Sequence, residues 1–184
     1  MDAELNNFYN KWLAKADAHS ENILSNHFDK FVSLYVIFNS LYMNVMTALV
    51  RDGHSLPVSF KDKIAATDYV IQYVGSNNIL TRLLSDEQSN IDFERICQII
   101  DEEHFHIVLE WGVQQRQKDV RLVASLKSKN PATKAKALLE LFYYIRCNMF
   151  HGHKGYEEHQ SDLLIPVNRL LRQLVVTTYN KLNA

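Results

Sequence analysis

An arginine, an asparagine and a histidine stand at the end of an otherwise apolar stretch, Tyr143-Tyr144-Ile145-Arg146-Cys147-Asn148-Met149-Phe150-His151-Gly152. Ala137, Leu138, Leu139, Leu141, Phe142, Tyr144 and Ile145 give the run helical apolar density, and Gly152 suits the residue that stops a helix. Arg146 is a permanent cation whose forked donors match a phosphate. His151 exchanges a proton near neutral pH, and a helix C-terminus favours its charged form. Together they are equipment for phosphate chemistry that needs no metal.

Arg146 and His151 are five positions apart, so an ideal helix points them roughly 140° away from each other. One copy makes a poor site. Two copies related by a twofold axis would bring each arginine near the partner's histidine, with Asn148 on the His151 face to orient the imidazole or hold a phosphate oxygen. On RNA, one histidine could take the proton of a 2′-OH attacking the adjacent phosphorus. A second group would protonate the leaving 5′-oxygen, while arginine stabilises the phosphorane charge. The plainer reading of the same spacing is that Arg146 complements the helix dipole and His151 caps the last carbonyls.

Arg, four residues, His and Gly at the end of a late helix resembles the Arg-x4-6-His signature of the HEPN superfamily. The stretch Ile145 to Lys154 is similar to the "VRCNLFHGGK" type of motif of bacterial HEPN-like proteins. Phe31 to Tyr42 resembles their early aromatic helix with its internal Asn-Ser-Leu-Tyr, here Asn39 to Tyr42, and Asp162 to Leu182 looks like their closing helix. The resemblance covers roughly residues 25 to 182 and is strongest over 25–50 and 135–182. It implies an all-α, HEPN-like bundle of five to eight helices that dimerises through the motif helix. Arg146 and His151 would be its catalytic pair, with Asn39 an early-helix polar group able to approach them.

The implied activity is metal-independent endoribonuclease, without cofactor, in a toxin or antiviral effector. An antitoxin or nucleotidyltransferase is an implied partner, and a non-catalytic nucleotide- or RNA-binding or partner-docking module is the alternative. Two positions depart from the pattern. Cys147 follows the arginine where Asn or Asp is common, and His153 stands where some members carry a modifiable Tyr, the nearest here being Tyr156.

Charge is balanced overall, with 20 Lys and Arg against 21 Asp and Glu, but unevenly placed. Residues 113–136 carry Arg116, Lys118, Arg121, Lys127, Lys129, Lys134 and Lys136 against Asp119 alone, as a basic approach to a phosphate site would. Arg116, Lys118, Arg121, Lys134 and Lys136 are the expected RNA contacts. Residues 86–110 are strongly acidic, which reads as a solvated helix face. His104 and His106, and His151, His153 and His159, lack the spacing of metal ligands, so no metal site is expected. Cys97 and Cys147 read as buried thiols, and a Cys147–His151 nucleophile at i,i+4 is the less favoured use of that pair.

The elements that must position these residues read as helices throughout. A length of 184 residues suits one domain, 1–184, and the few glycines and prolines fall where helices should break. Expected helices are 3–19, 21–50, 61–74, 79–84, 93–107, 113–126, one starting near Pro131, and 162–182. The long second helix is expected to pack antiparallel to the motif helix. Met1 to Leu5 shows no signal-peptide pattern and no uncharged apolar run is expected to reach spanning length, so the expected address is cytoplasmic, with no membrane partner.

Overall fold

A computed structural model describes residues 3–20, 22–57, 61–150 and 160–184. The helices are α1 Ala3–Ala18, α2 Leu24–Arg51, α3 Asp62–Ile64, α4 Val70–Val74, α5 Ser76–Leu83, α6 Glu87–Asp101, α7 Arg116–Leu126, α8 Pro131–Phe150 and α9 Gln160–Leu182. A π-helical segment, Ala65–Tyr69, joins α3 to α4 without a break, so the described residues form eight helical units. The all-α expectation holds.

One short antiparallel hairpin interrupts the helices: β1 Leu109–Glu110 pairs with β2 Val113–Gln114. Its two-residue turn has positive φ at both Trp111 (53°) and Gly112 (79°), the pattern of a type I′ turn. The helix expected over 113–126 therefore starts at Arg116.

The core is built around α2. Phe31, Tyr35, Phe38 and Tyr42 recur every three to four residues and meet ring to ring at 5.5–5.9 Å between centroids, the first pair stacked and the next two edge-on, all of them buried. Gly53 at φ +90° ends the helix as a left-handed cap, with the His54 N–H donating back to the Leu49 carbonyl. The main neighbours of α2 are α9 and α1, whereas α8 lies on α7, α5 and the π segment. The expected lengthwise pairing of α2 with the motif helix is therefore corrected. Near Tyr35 the two meet through the Arg146 side chain.

A second correction concerns apolar length. Residues 31–50 carry no charge, and α2 is long and apolar enough to cross a membrane, but 56% of its most apolar window is buried inside this fold. Packed in this way, α2 acts as a core helix.

The expected helix over 93–107 is shifted. It starts at Glu87, because Asp86 caps it by accepting from Ser89 N at 2.8 Å, and it stops at Asp101. Glu103 turns left-handed there (φ 59°), and the Arg116 side chain reaches back to the Ile100 and Asp101 carbonyls at 2.9 and 3.0 Å.

Candidate functional site

Arg146 sits on α8 with 29% of its side chain exposed, in a cluster drawn from three helices. Its guanidinium lies 5.9 Å from the Tyr35 ring centroid, and Nη1 is 4.0 Å from Asp62 Oδ2. The Tyr42 hydroxyl lies against Asp62 Oδ1 (2.5 Å) and against Asn39 Oδ1. A hydroxyl has one proton, and the carboxylate is the stronger acceptor of the two. Asn39 itself is exposed. Asn39, Tyr42, Asp62 and Arg146 thus form one polar chain, which brings together two of the four residues singled out from sequence, Arg146 and Asn39.

The electrostatics favour a fixed cation beside neutral phenols. Burial works against the Arg146 charge, but Cys147, Tyr35 and Asp62 outweigh it and raise its pKa further. Burial pushes Tyr35 and Tyr42 up, the latter also through Asp62, and Tyr143 rises to about 12 through burial and its contact with Cys147. The Tyr35 hydroxyl is buried with no hydrogen-bond partner among the described residues. A buried donor without an acceptor is costly.

Asp62 is held in position from behind. Lys63 Nζ contacts Glu140 Oε1 at 2.8 Å and the Tyr144 hydroxyl at 2.7 Å, and Lys136 Nζ contacts Asp68 Oδ1 at 2.6 Å. These bonds stitch the α3–π–α4 unit onto α8. The π segment follows Asp62 within one turn, and π turns inside helices recur at functional sites.

Asn148 lies elsewhere. It is 200° around the helix from Arg146, buried, and its amide donates to the Ile107 carbonyl at 2.8 Å. There it anchors the loop that leads into the hairpin, a bond that spacing along α8 does not show. His151 and the other residues of 151–159 lie outside the described residues.

The basic stretch is not a free cationic approach. Arg116 caps α6 and pairs with Glu103 at 2.9 Å, Lys118 pairs with Glu110, Lys127 with Asp101 at 2.5 Å, and Lys136 with Asp68. Lys134 lies over the Phe93 ring at 4.3 Å, and Arg121 is exposed. The acidic stretch expected to be merely solvated supplies several of these partners. Among the described residues, no three His, Cys, Asp or Glu side chains group as metal ligands.

Reading along the chain missed Tyr35, Tyr42 and Asp62 as site residues. Asn39 and Tyr42 are three apart on one helix face, a signal that was available. Asp62 offers none, because its role comes from a helix met only in three dimensions. Neither protein-family models nor characterised proteins nor solved structures match this chain.

Proposed function

We propose that this protein is a HEPN-type, metal-independent endoribonuclease. One observation supports the reading: Arg146 of the motif helix is linked through Asp62 and Tyr42 to Asn39 of the early aromatic helix, the polar residue that the HEPN resemblance expects to approach the motif. Arg146, with 29% of its side chain exposed, would neutralise a phosphate. His151, the other half of the motif, would take the 2′-OH proton as the O2′–phosphorus bond forms. The phosphorus–O5′ bond then breaks, the 5′-oxygen is protonated by a second group, and a 2′,3′-cyclic phosphate and a 5′-OH remain. A homodimer, a cytoplasmic address and a role as toxin or antiviral effector belong to the same proposal.

The test is incubation of purified protein with single-stranded RNA in a chelator. The expected result is cleavage to cyclic-phosphate ends, DNA of the same sequence left intact, and loss of cleavage in both Arg146→Ala and His151→Ala with folding unchanged. Cleavage that survives His151→Ala refutes the mechanism.

The second reading is a binding module in which Arg146 clamps an anion without catalysis. It is favoured by Cys147, which stands where a polar residue is common and contacts the Arg146 guanidinium. Protein that is inert toward RNA yet binds nucleotide in an Arg146-dependent manner would replace the first reading with this one.

A further inference from the structure

A groove of about 330 Å³ runs between α5 and α9, lined by Asn78 and Arg82 from the first helix and by Gln173, Thr177, Asn180 and Lys181 from the second. α5 packs on α9, and i,i+4 spacing sets Asn78 with Arg82 on one wall and Gln173, Thr177 and Lys181 on the other. Ligand pockets of this size are ordinarily walled by apolar side chains. Here Val176 is the apolar exception among polar groups, so the groove suits a small polar occupant.

Two features separate it from an ordinary wetted surface. The first is unbalanced charge. In the neighbouring cleft, which shares Gln173, each cation is matched: Arg169 donates to Asp92 at 2.8 Å, and Arg172 to both oxygens of Asp17 at 3.0 and 2.9 Å. Further along α9 no acid lines the groove, and Arg82 has no ion pair or side-chain hydrogen bond among the described residues. Lys181 Nζ meets the Tyr73 ring at 6.0 Å from its centroid, which leaves its donors free for an anion. Asp86, the acid nearest to Arg82 in sequence, is committed to the α6 cap, where it accepts from Ser89 N and Ser89 Oγ at 2.8 and 3.0 Å. The second feature is Thr177. It lines the groove while only 8% exposed, and its hydroxyl makes no hydrogen bond among the described residues. A hydroxyl so far buried is ordinarily bonded, and inside a helix it commonly donates to the carbonyl four residues back, as Thr67 does to Lys63 at 2.7 Å.

We infer that this groove binds a small phosphorylated ligand of the sugar-phosphate class, its phosphate held by Arg82 and Lys181 and its hydroxyl-bearing part by Gln173, Thr177 and Asn180. Two cations without a counter-charge match a dianion, and a guanidinium forks onto two phosphate oxygens. Amides and hydroxyls both donate and accept, which serves a hydroxyl-rich carrier and would go unsatisfied against an apolar one. None of these residues belongs to the Arg146 cluster, so the inference does not depend on the ribonuclease reading.

The experiment is calorimetric titration of the full chain with ribose 5-phosphate, compared with inorganic phosphate, ribose and a single-stranded RNA oligomer. Ribose 5-phosphate is expected to bind with a Kd of about 1 mM or tighter. Arg82→Gln and Lys181→Gln should each weaken it about tenfold or more, the loss that a charge-assisted hydrogen bond carries. Lys129→Gln, which removes an exposed charge outside the groove, should leave it unchanged. Thr177→Val should weaken ribose 5-phosphate about threefold or more and spare inorganic phosphate. Because that hydroxyl has no partner in the described fold, the same variant should not lower Tm in the absence of ligand. No binding by wild type at about 10 mM overturns the inference. So does full affinity in Arg82→Gln, or ribose binding as tightly as its phosphate. RNA that displaces ribose 5-phosphate at a lower concentration per phosphate, with Arg82→Gln abolishing the displacement, also overturns it and assigns the groove to a nucleic-acid backbone instead.

Discussion

Two arginine–aspartate regions of this protein use the same side chains in opposite ways. Around Arg116 and Asp119 every group is committed: Arg116 holds two carbonyls and Glu103, while the fully buried Asp119 accepts from Ile107 N (3.2 Å), Val108 N (2.8 Å) and His106 Nδ1 (3.2 Å). Around Arg146 and Asp62 the ion pair is loose at 4.0 Å, a buried tyrosine hydroxyl is unmatched, and Asn39 is exposed. Polar groups that hold a fold saturate their bonds, and those kept for a ligand leave capacity unused. The first region closes a helix and fixes a loop, and the second is the one for which ligand binding is proposed.

Asp119→Asn is the largest expected break of this comparison. It turns amide hydrogens, or a neutral oxygen, toward two buried backbone donors and a histidine, and should cost about 2–4 kcal/mol. For a chain of this size that lowers Tm by roughly 5–15 °C. Asp62→Asn, with the same chemistry on a half-exposed and loosely paired group, should cost under about 1 kcal/mol. Urea denaturation of the two variants decides the matter: equal losses would mean that Asp62 is as structural as Asp119.

Arg116→Ala comes next. It strips the α6 C-terminus of the donors that satisfy Ile100 and Asp101, and about 1–2 kcal/mol should be lost. Hydrogen exchange at residues 102–108, which that end and Asp119 hold in place, should accelerate with it. Unchanged protection there would show that water replaces the guanidinium at no cost.

The thiols extend the contrast. Burial raises Cys97 to about 11, so at pH 8 only about one part in a thousand is thiolate. Cys147 is half-buried beside Arg146. A disulfide reagent should therefore modify Cys147 at least about tenfold faster than Cys97 in the native protein, with both equal once unfolded. Equal native rates would mean that the Arg146 cluster is as closed as the core.

The difference between the two regions also explains what could be read from sequence. α1, α2, α8 and α9 announce themselves because their own residues carry the apolar period. The Asp86–Ser89 cap was legible in type but was passed over for the first aromatic, Phe93. The end of α6 was not, since it depends on Arg116 and Asp119 arriving from beyond a hairpin. Arg146 and Asn39 were found as residues, whereas the partners that give them geometry belong to other helices. For Asn148, a spacing of three from His151 says which residues share a face but not that its amide meets the Ile107 carbonyl.

The smallest effect expected is at the seam between α1 and α9, where Arg172 donates to both oxygens of Asp17 at 3.0 and 2.9 Å. The Arg172 bond holds the Asp17 carboxyl below the ordinary carboxylate value, against the opposing pull of its partial burial. A depressed acid contributes its stability above the unfolded pKa of about 3.9 and loses it as pH falls through the lower folded value. The pair is close to half-exposed on both sides, so solvent and salt screen it and the increment stays below about 1 kcal/mol. Stability of wild type and Asp17→Asn should therefore differ slightly at pH 6 and converge below about pH 3. If the gap instead stays constant down to that pH, Asp17 contributes by packing and the charge at this seam is incidental.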